Sequence, residues 1–152
     1  MTGAAPGDRL AIADLLAACA QAGDARKADA YAACFTGDGV LQLDEAIAGR
    51  EAIRAWMGGA RIIPPAAPRP GGEGAAPGFI SHHLTTCRIE LLDAGTAKAR
   101  TYWLVTSAAG LDHNGYYDDR FRKEGGTWLI AHRRPRTLWI SPASVLHGAG
   151  SG

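Results

Sequence analysis

The apolar positions follow two rhythms. Up to Phe35 they recur at three- and four-residue steps, and from Ser81 onward they tend to alternate with polar ones. The first spacing suits helices, whose side chains share a face every 3.6 residues, and the second suits strands. Leu10, Ile12, Leu15, Leu16 and Cys19 form a helical stripe, with Asp8 placed to cap its start and Gly23 to end it. A second short helix is expected over 25–35, burying Tyr31, Cys34 and Phe35. Thr36-Gly-Asp-Gly reads as a turn, 40–43 as a short strand, and 49–57 as a third helix stopped by Gly58-Gly59. Long strands are expected over 81–91, 96–107, 113–123 and 128–136, with "DAGT" and "EGGT" as hairpin turns. Three helices ahead of a four-stranded meander, with one early strand, predict an α+β fold with helices on one face of a curved antiparallel sheet. Closing a cupped sheet with helices leaves one pocket, where chemistry is expected.

Two stretches break the pattern. Residues 58–78, "GGARIIPPAAPRPGGEGAAPG", are dense in Gly, Pro and Ala. A connection of ~20 residues is either a functional lid or binding loop, or a disordered insertion. From about residue 138 a tail carries Trp139, Ile140, Val145 and Leu146, placed to cover the pocket mouth or a neighbouring subunit.

Composition narrows the class. The 152 residues suit one domain (1–152), and 47% hydrophobic with 20% charged residues suits a packed core. A net charge of +1 argues against nucleic acid or an anionic membrane as partner. The N-terminus lacks a signal-peptide pattern, and no apolar run reaches the ~20 residues of a membrane span. Cys19, Cys34 and Cys87 contain no CxxC pair and are expected as reduced, buried thiols of a cytoplasmic protein.

The chemistry-bearing residues are few. In "FISHHLTTC" (79–87) the adjacent His82 and His83 must point to opposite faces of a strand, so they cannot hold a metal together. His82, Leu84, Thr86 and Arg88 share one face, and His83, Thr85, Cys87 and Ile89 the other; alternation does not say which is inside. No ligand spacing ties either to His113 or His132, and no metal site is expected. Asp24 stands where a cap of the second helix would stand. Tyr117 and Asp119 share a strand face, Asp119 as a candidate cross-strand partner of an arginine. Arg133, Arg134 and Arg136 form a basic cluster, and no G-x-S-x-G, P-loop or G-x-G-x-x-G motif is present.

Four segments, "AIADLLAACAQAGDARKADAYAACFTGDGVL", "GREAIRAWM", "SHHLTTCRIEL" and "GYYDDRFRKEGGTWLIAHRR", in this order and spacing over about 8–140, resemble the NTF2-like superfamily. The similarity is to its SnoaL-like branch, which includes scytalone dehydratase, bile-acid 7α-dehydratase and hexachlorocyclohexane dehydrochlorinase. The resemblance implies a cone-shaped α+β barrel of the cystatin-like kind. It also implies an Asp at the end of the first helix facing a His on the first long strand, here Asp24 and His82, with His83 outside. Thr86 falls where relatives often carry Asn, and Tyr117 and Asp119 match a Gly-x-Tyr-x-Asp run. Gly23 stands beside Asp24 where scytalone dehydratase-like enzymes use tyrosines nearby, and the long Gly/Pro segment is not a standard family feature.

The activity implied is a cofactor-independent lyase of the dehydratase type, or an isomerase, working by proton abstraction. His82 is the expected base; Asp24 fixes its tautomer and stabilises the imidazolium. Tyr117, Thr86 or Arg134 would stabilise developing negative charge. The pocket is expected to be lined by Leu15, Tyr31, Trp56, Trp103, Phe121 and the 60s segment, and to take a small cyclic or aromatic substrate. The alternatives are a non-catalytic small-molecule-binding or dioxygenase β-subunit-like module, and a SnoaL-type polyketide cyclase. By analogy with relatives a homodimer or homotrimer is expected.

Overall fold

The helical stripe condenses onto the sheet through Ile12, Leu16 and Cys19, all buried. Leu10, two residues before Ile12, lies on the opposite side of the helix and is 71% exposed, outside the stripe expected to include it. The computed structural model describes residues 6–59 and 78–148. Within them the chain runs α1 (Pro6–Asp24), α2 (Ala28–Ala33), β1 (Phe35–Gln42), β2 (Ala46–Ala48), α3 (Arg50–Gly58), β3 (Ile80–Leu91), β4 (Thr96–Ser107), β5 (Gly110–Glu124) and β6 (Thr127–Ile140). A short 3-10 turn, Val145–Gly148, follows. The six strands form one sheet in the order β2-β1-β6-β5-β4-β3.

Several expectations need correction. The sheet is mixed, because β1 runs parallel to β6. A strand not expected from the sequence, β2, pairs with β1 ahead of the third helix. The second helix stops at Ala33: the Cys34 carbonyl accepts the Ile130 N–H at 2.8 Å, so the chain has joined β6 by Phe35. Thr36 to Gly39 lie inside β1, as a break in its register with β6. Asp8 lies within the first turn of α1 and accepts from Lys123 Nζ and Trp128 Nε1, both at 2.8 Å, tying the helix to the sheet. β6 continues to Ile140, so the segment read as a tail begins as strand. Cys19 and Cys34 are buried, but Cys87 is exposed. Residues 60–77, which hold most of the Gly/Pro segment, lie outside the described residues.

Alternation is clean on β4, where Ala97, Ala99, Thr101, Trp103, Val105 and Ser107 are all buried. Of these, Ala97 and Ala99 join a core with Ile12, Leu16, Phe35, Leu41, Ile53, Phe121, Trp128 and Ile130. On the neighbouring strands bulges interrupt the pattern. A bulge inserts one residue and flips which parity faces inward beyond it. On β3 the register slips between Leu84 and Cys87, so the inner face passes from His82 and Leu84 to Ile89 and Leu91. On β5, Val105 pairs His113 and Thr106 pairs Leu111, leaving Asp112 as the extra residue. On β6 the slip at Ala131 moves the inner face from Trp128 and Ile130 to Arg133 and Pro135. Among the described residues no helix is long and apolar enough to cross a membrane.

Candidate active site

Asp24 ends α1, and Arg26 behind it takes a left-handed φ of 54° that turns the chain away. The N-cap position of α2 is Lys27, so the Asp24 carboxylate does not cap that helix. It reaches β3 instead. β3 is an edge strand, with some of its N–H groups directed away from β4. Asp24 Oδ2 accepts the His82 backbone N–H at 2.8 Å, and Asp24 Oδ1 lies 2.6 Å from His82 Nδ1. A carboxylate can only accept, so Nδ1 carries the hydrogen, and in the neutral ring Nε2 holds the free lone pair. The two side chains are 22% and 21% exposed, shielded but open to a visitor. His83 faces the other way, exposed, with Nε2 3.2 Å from Thr106 Oγ1.

His82 borders a cavity of about 230 Å³ whose walls include Tyr31, Trp56, Trp103, His113, Tyr117 and Arg133. The Trp103 ring lies 6.0 Å from His82 and 5.6 Å from Tyr117, centroid to centroid. Trp103 Nε1 is buried and has no hydrogen-bond partner among the described residues. Gly115 makes room for that indole: a Cβ there would stand 2.7 Å from Trp103 Cζ2 and 2.0 Å from the Arg136 carbonyl oxygen. Arg133 grips Asp119 with two bonds of 2.9 and 2.8 Å, and its guanidinium stacks 4.1 Å from the Tyr117 ring centre. Burial works against the Arg133 charge, but the adjacent Asp119 carboxylate outweighs it and holds its pKa well above the usual value. Burial raises the Tyr31 and Tyr117 phenols, so both remain protonated donors. A hydrogen bond with Cys34, together with burial, likewise keeps the Cys19 thiol protonated.

A second imidazole completes the polar wall. His113 Nδ1 lies 2.7 Å from Asp112 Oδ1. Asp112 is fully buried, and it also accepts from Ser107 Oγ at 2.6 Å, Ser144 Oγ at 2.5 Å and the Val145 N–H at 2.9 Å. Burial pushes its carboxyl up, but these donors together hold it well below the usual carboxylate range. Among the described residues no three His, Cys, Asp or Glu side chains are grouped to hold a metal ion.

Of the residues proposed from sequence, Tyr31, Trp56, Trp103 and Tyr117 line the cavity beside His82. Three do not. Thr86 is exposed, carried off the pocket face by the β3 bulge. Phe121 packs in the core between its strand partners Ala97 and Ile130. Arg134 is exposed on the outer face, because the slip at Ala131 turns Arg133 inward in its place. Leu15 packs against the core. Arg134 instead borders a shallow outer depression with Arg88, Arg100 and Arg120, where Lys98–Glu90 and Arg100–Asp118 form solvated ion pairs. Periodicity missed Asp112 and Arg133, since each depends on a bulge; His113 follows the alternating face of Gly115, Tyr117 and Asp119, but no role had been attached to it.

Comparison with known proteins places this architecture. The family model described as a SnoaL-like domain matches residues 7–134. A protein of unknown function from Mycobacterium tuberculosis is 29% identical, with a TM-score of 0.69, over 90% of this chain and 79% of its own. An NTF2-like protein with a cystatin-like fold from Novosphingobium aromaticivorans is 21% identical (TM-score 0.71; 96% and 90% covered). A hexachlorocyclohexane dehydrochlorinase from Novosphingobium barchaimii is 17% identical (TM-score 0.70; 90% of each chain). No curated protein matches the chain in sequence. With the model match spanning most of its length, the chain belongs to the SnoaL-like domain family, within the NTF2-like fold.

Proposed function

We propose that this protein is a cofactor-independent lyase or isomerase in which His82 abstracts a carbon-bound proton. The observation that carries this reading is the double hold of Asp24 on His82 at the edge of the cavity. That hold leaves Nε2 as the basic nitrogen and gives the imidazolium a counter-ion as it forms. Histidine is the side chain that exchanges protons most readily near neutral pH. The proton comes from a carbon beside a carbonyl, or beside a carbon bearing a leaving group, where the developing charge can delocalise. The Tyr117 phenol, held protonated by burial, is the donor for a developing oxyanion. The unpartnered Trp103 N–H is a second donor for a substrate oxygen. Tyr31, Trp56 and Met57 supply apolar walls, and the volume suits a small ring compound. Arg133 is already neutralised by Asp119, so the buried cation of the wall does not call for an anionic substrate.

The experiment is deuterium uptake from solvent into a panel of cyclic ketones and hydroxylated cyclic ketones, followed by NMR. His82→Ala and Asp24→Asn should slow exchange by about 10²–10⁴-fold with circular dichroism unchanged. Exchange at the wild-type rate in either variant would refute the dyad.

A further inference from the structure

We propose that His113 and Asp112 form a second proton-transfer pair of the same cavity, in which His113 hands a proton to the substrate oxygen while His82 removes one from carbon. This rests on the His82 reading above. The two rings stand edge to face, 6.3 Å between centroids and 88° between planes, and both line the cavity. Each gives Nδ1 to a carboxylate, so each keeps Nε2 for a substrate. A spacing of this order admits a small molecule's reacting carbon and its oxygen between two nitrogens.

A structural role for Asp112 does not account for His113. The carboxylate anchors the β4–β5 end and the last turn through Ser107, Ser144 and the Val145 N–H. Of its donors, His113 alone lines the cavity. The β5 bulge brings Asp112 and His113, consecutive in sequence, into contact within the interior. Bulges re-aim side chains in this way beside active sites. The anion is fully buried, whereas Asp24 is one-fifth exposed, so a proton on His113 has the less screened counter-ion. That asymmetry assigns donation to His113 and abstraction to His82.

With a substrate that carries a hydroxyl beside the acidic C–H, the reaction is an elimination. The C–H proton passes to His82 Nε2, and its electron pair becomes the new C=C bond. The C–O bond breaks with its pair going to oxygen, which takes the His113 Nε2 proton and leaves as water. His82 is then cationic and His113 neutral, and one proton exchange with solvent resets both. The forward step therefore needs His82 neutral and His113 protonated at the same time. Around His113 the titratable and charged groups are His82 of β3 with Asp24 of α1 behind it. Asp112, Tyr117 and Asp119 come from β5, Arg133 from β6, Cys19 from α1 and Tyr31 from α2, and Arg26 lies between the helices with His147 in the last turn.

Two measurements on the full chain test this. Side-chain ¹⁵N spectra of wild type and His82→Gln follow the His113 ring between about pH 5 and 8. The expected result is a neutral ring with its hydrogen on Nδ1, facing Asp112, and ring signals that shift when His82 is replaced. A neutral ring with its hydrogen on Nε2, or ring signals indifferent to His82→Gln, overturns the proposal without any substrate. With a ketone that exchanges deuterium, His113→Gln should lower kcat about 10²-fold, leave KM near its wild-type value and change the pH profile. An unchanged profile also overturns it. If His82→Ala stays active while the His113 ring carries its hydrogen on Nδ1 and His113→Gln lowers kcat, the His82 assignment is at fault and not that of His113.

Discussion

Asp24 uses one oxygen for a ring and the other for a backbone N–H, so it sets both the tautomer and the position of His82. Asp24→Asn keeps the size but supplies only one acceptor oxygen, and activity should fall further than stability. Asp24→Ala removes both acceptors and should also cost about 1–3 kcal/mol in urea unfolding. The neighbouring arginines separate cleanly. Arg133 and Asp119 have side chains 3% and 0% exposed. Arg133→Ala should cost about 3–5 kcal/mol because it strands a buried carboxylate. Arg134→Ala, on the solvated face, should stay within about 0.5 kcal/mol. Equal losses in the two variants would contradict the inward turn at Ala131.

At the scale of elements, the site is assembled by irregularities in regular strands. The β3 bulge ends the pocket face after Leu84, the β5 bulge buries Asp112 next to His113, and the β6 slip brings Arg133 inside. The edge position of β3 matters equally, since Asp24 captures an outward N–H and Arg9 binds the Ile89 carbonyl of the same strand. At Gly115 β5 lies close against β6 and the Trp103 ring. Gly115→Ala should destabilise by about 1–3 kcal/mol or more, because backbone at Arg136 must move as well as the Trp103 ring. A shift in tryptophan fluorescence would report the displaced indole, and an unaltered melting temperature would count against the close approach.

For the whole molecule, the buried Asp112 links folding to acidity. Its native pKa lies below the ordinary 3.8, so its contribution to stability is complete above that value and drains away as the pH falls beneath it. Urea midpoints of wild type and Asp112→Asn should therefore lie far apart at neutral pH and converge under acid; a constant gap would show that the charge is not what stabilises. The pattern of the chain alone determined the helices, the long strands, the α+β class and the parting of His82 from His83. These follow from local periodicity, which each segment carries within itself. The resemblance to relatives added the pairing of Asp24 with His82. Periodicity could not reach the parallel seating of β1 on β6, nor the exchange of Arg134 for Arg133, the loss of Thr86 from the pocket, or the burial of Asp112 beside His113. A bulge belongs to the register between two strands and not to the residues of either, so only the paired sheet decides which side chains face the cavity.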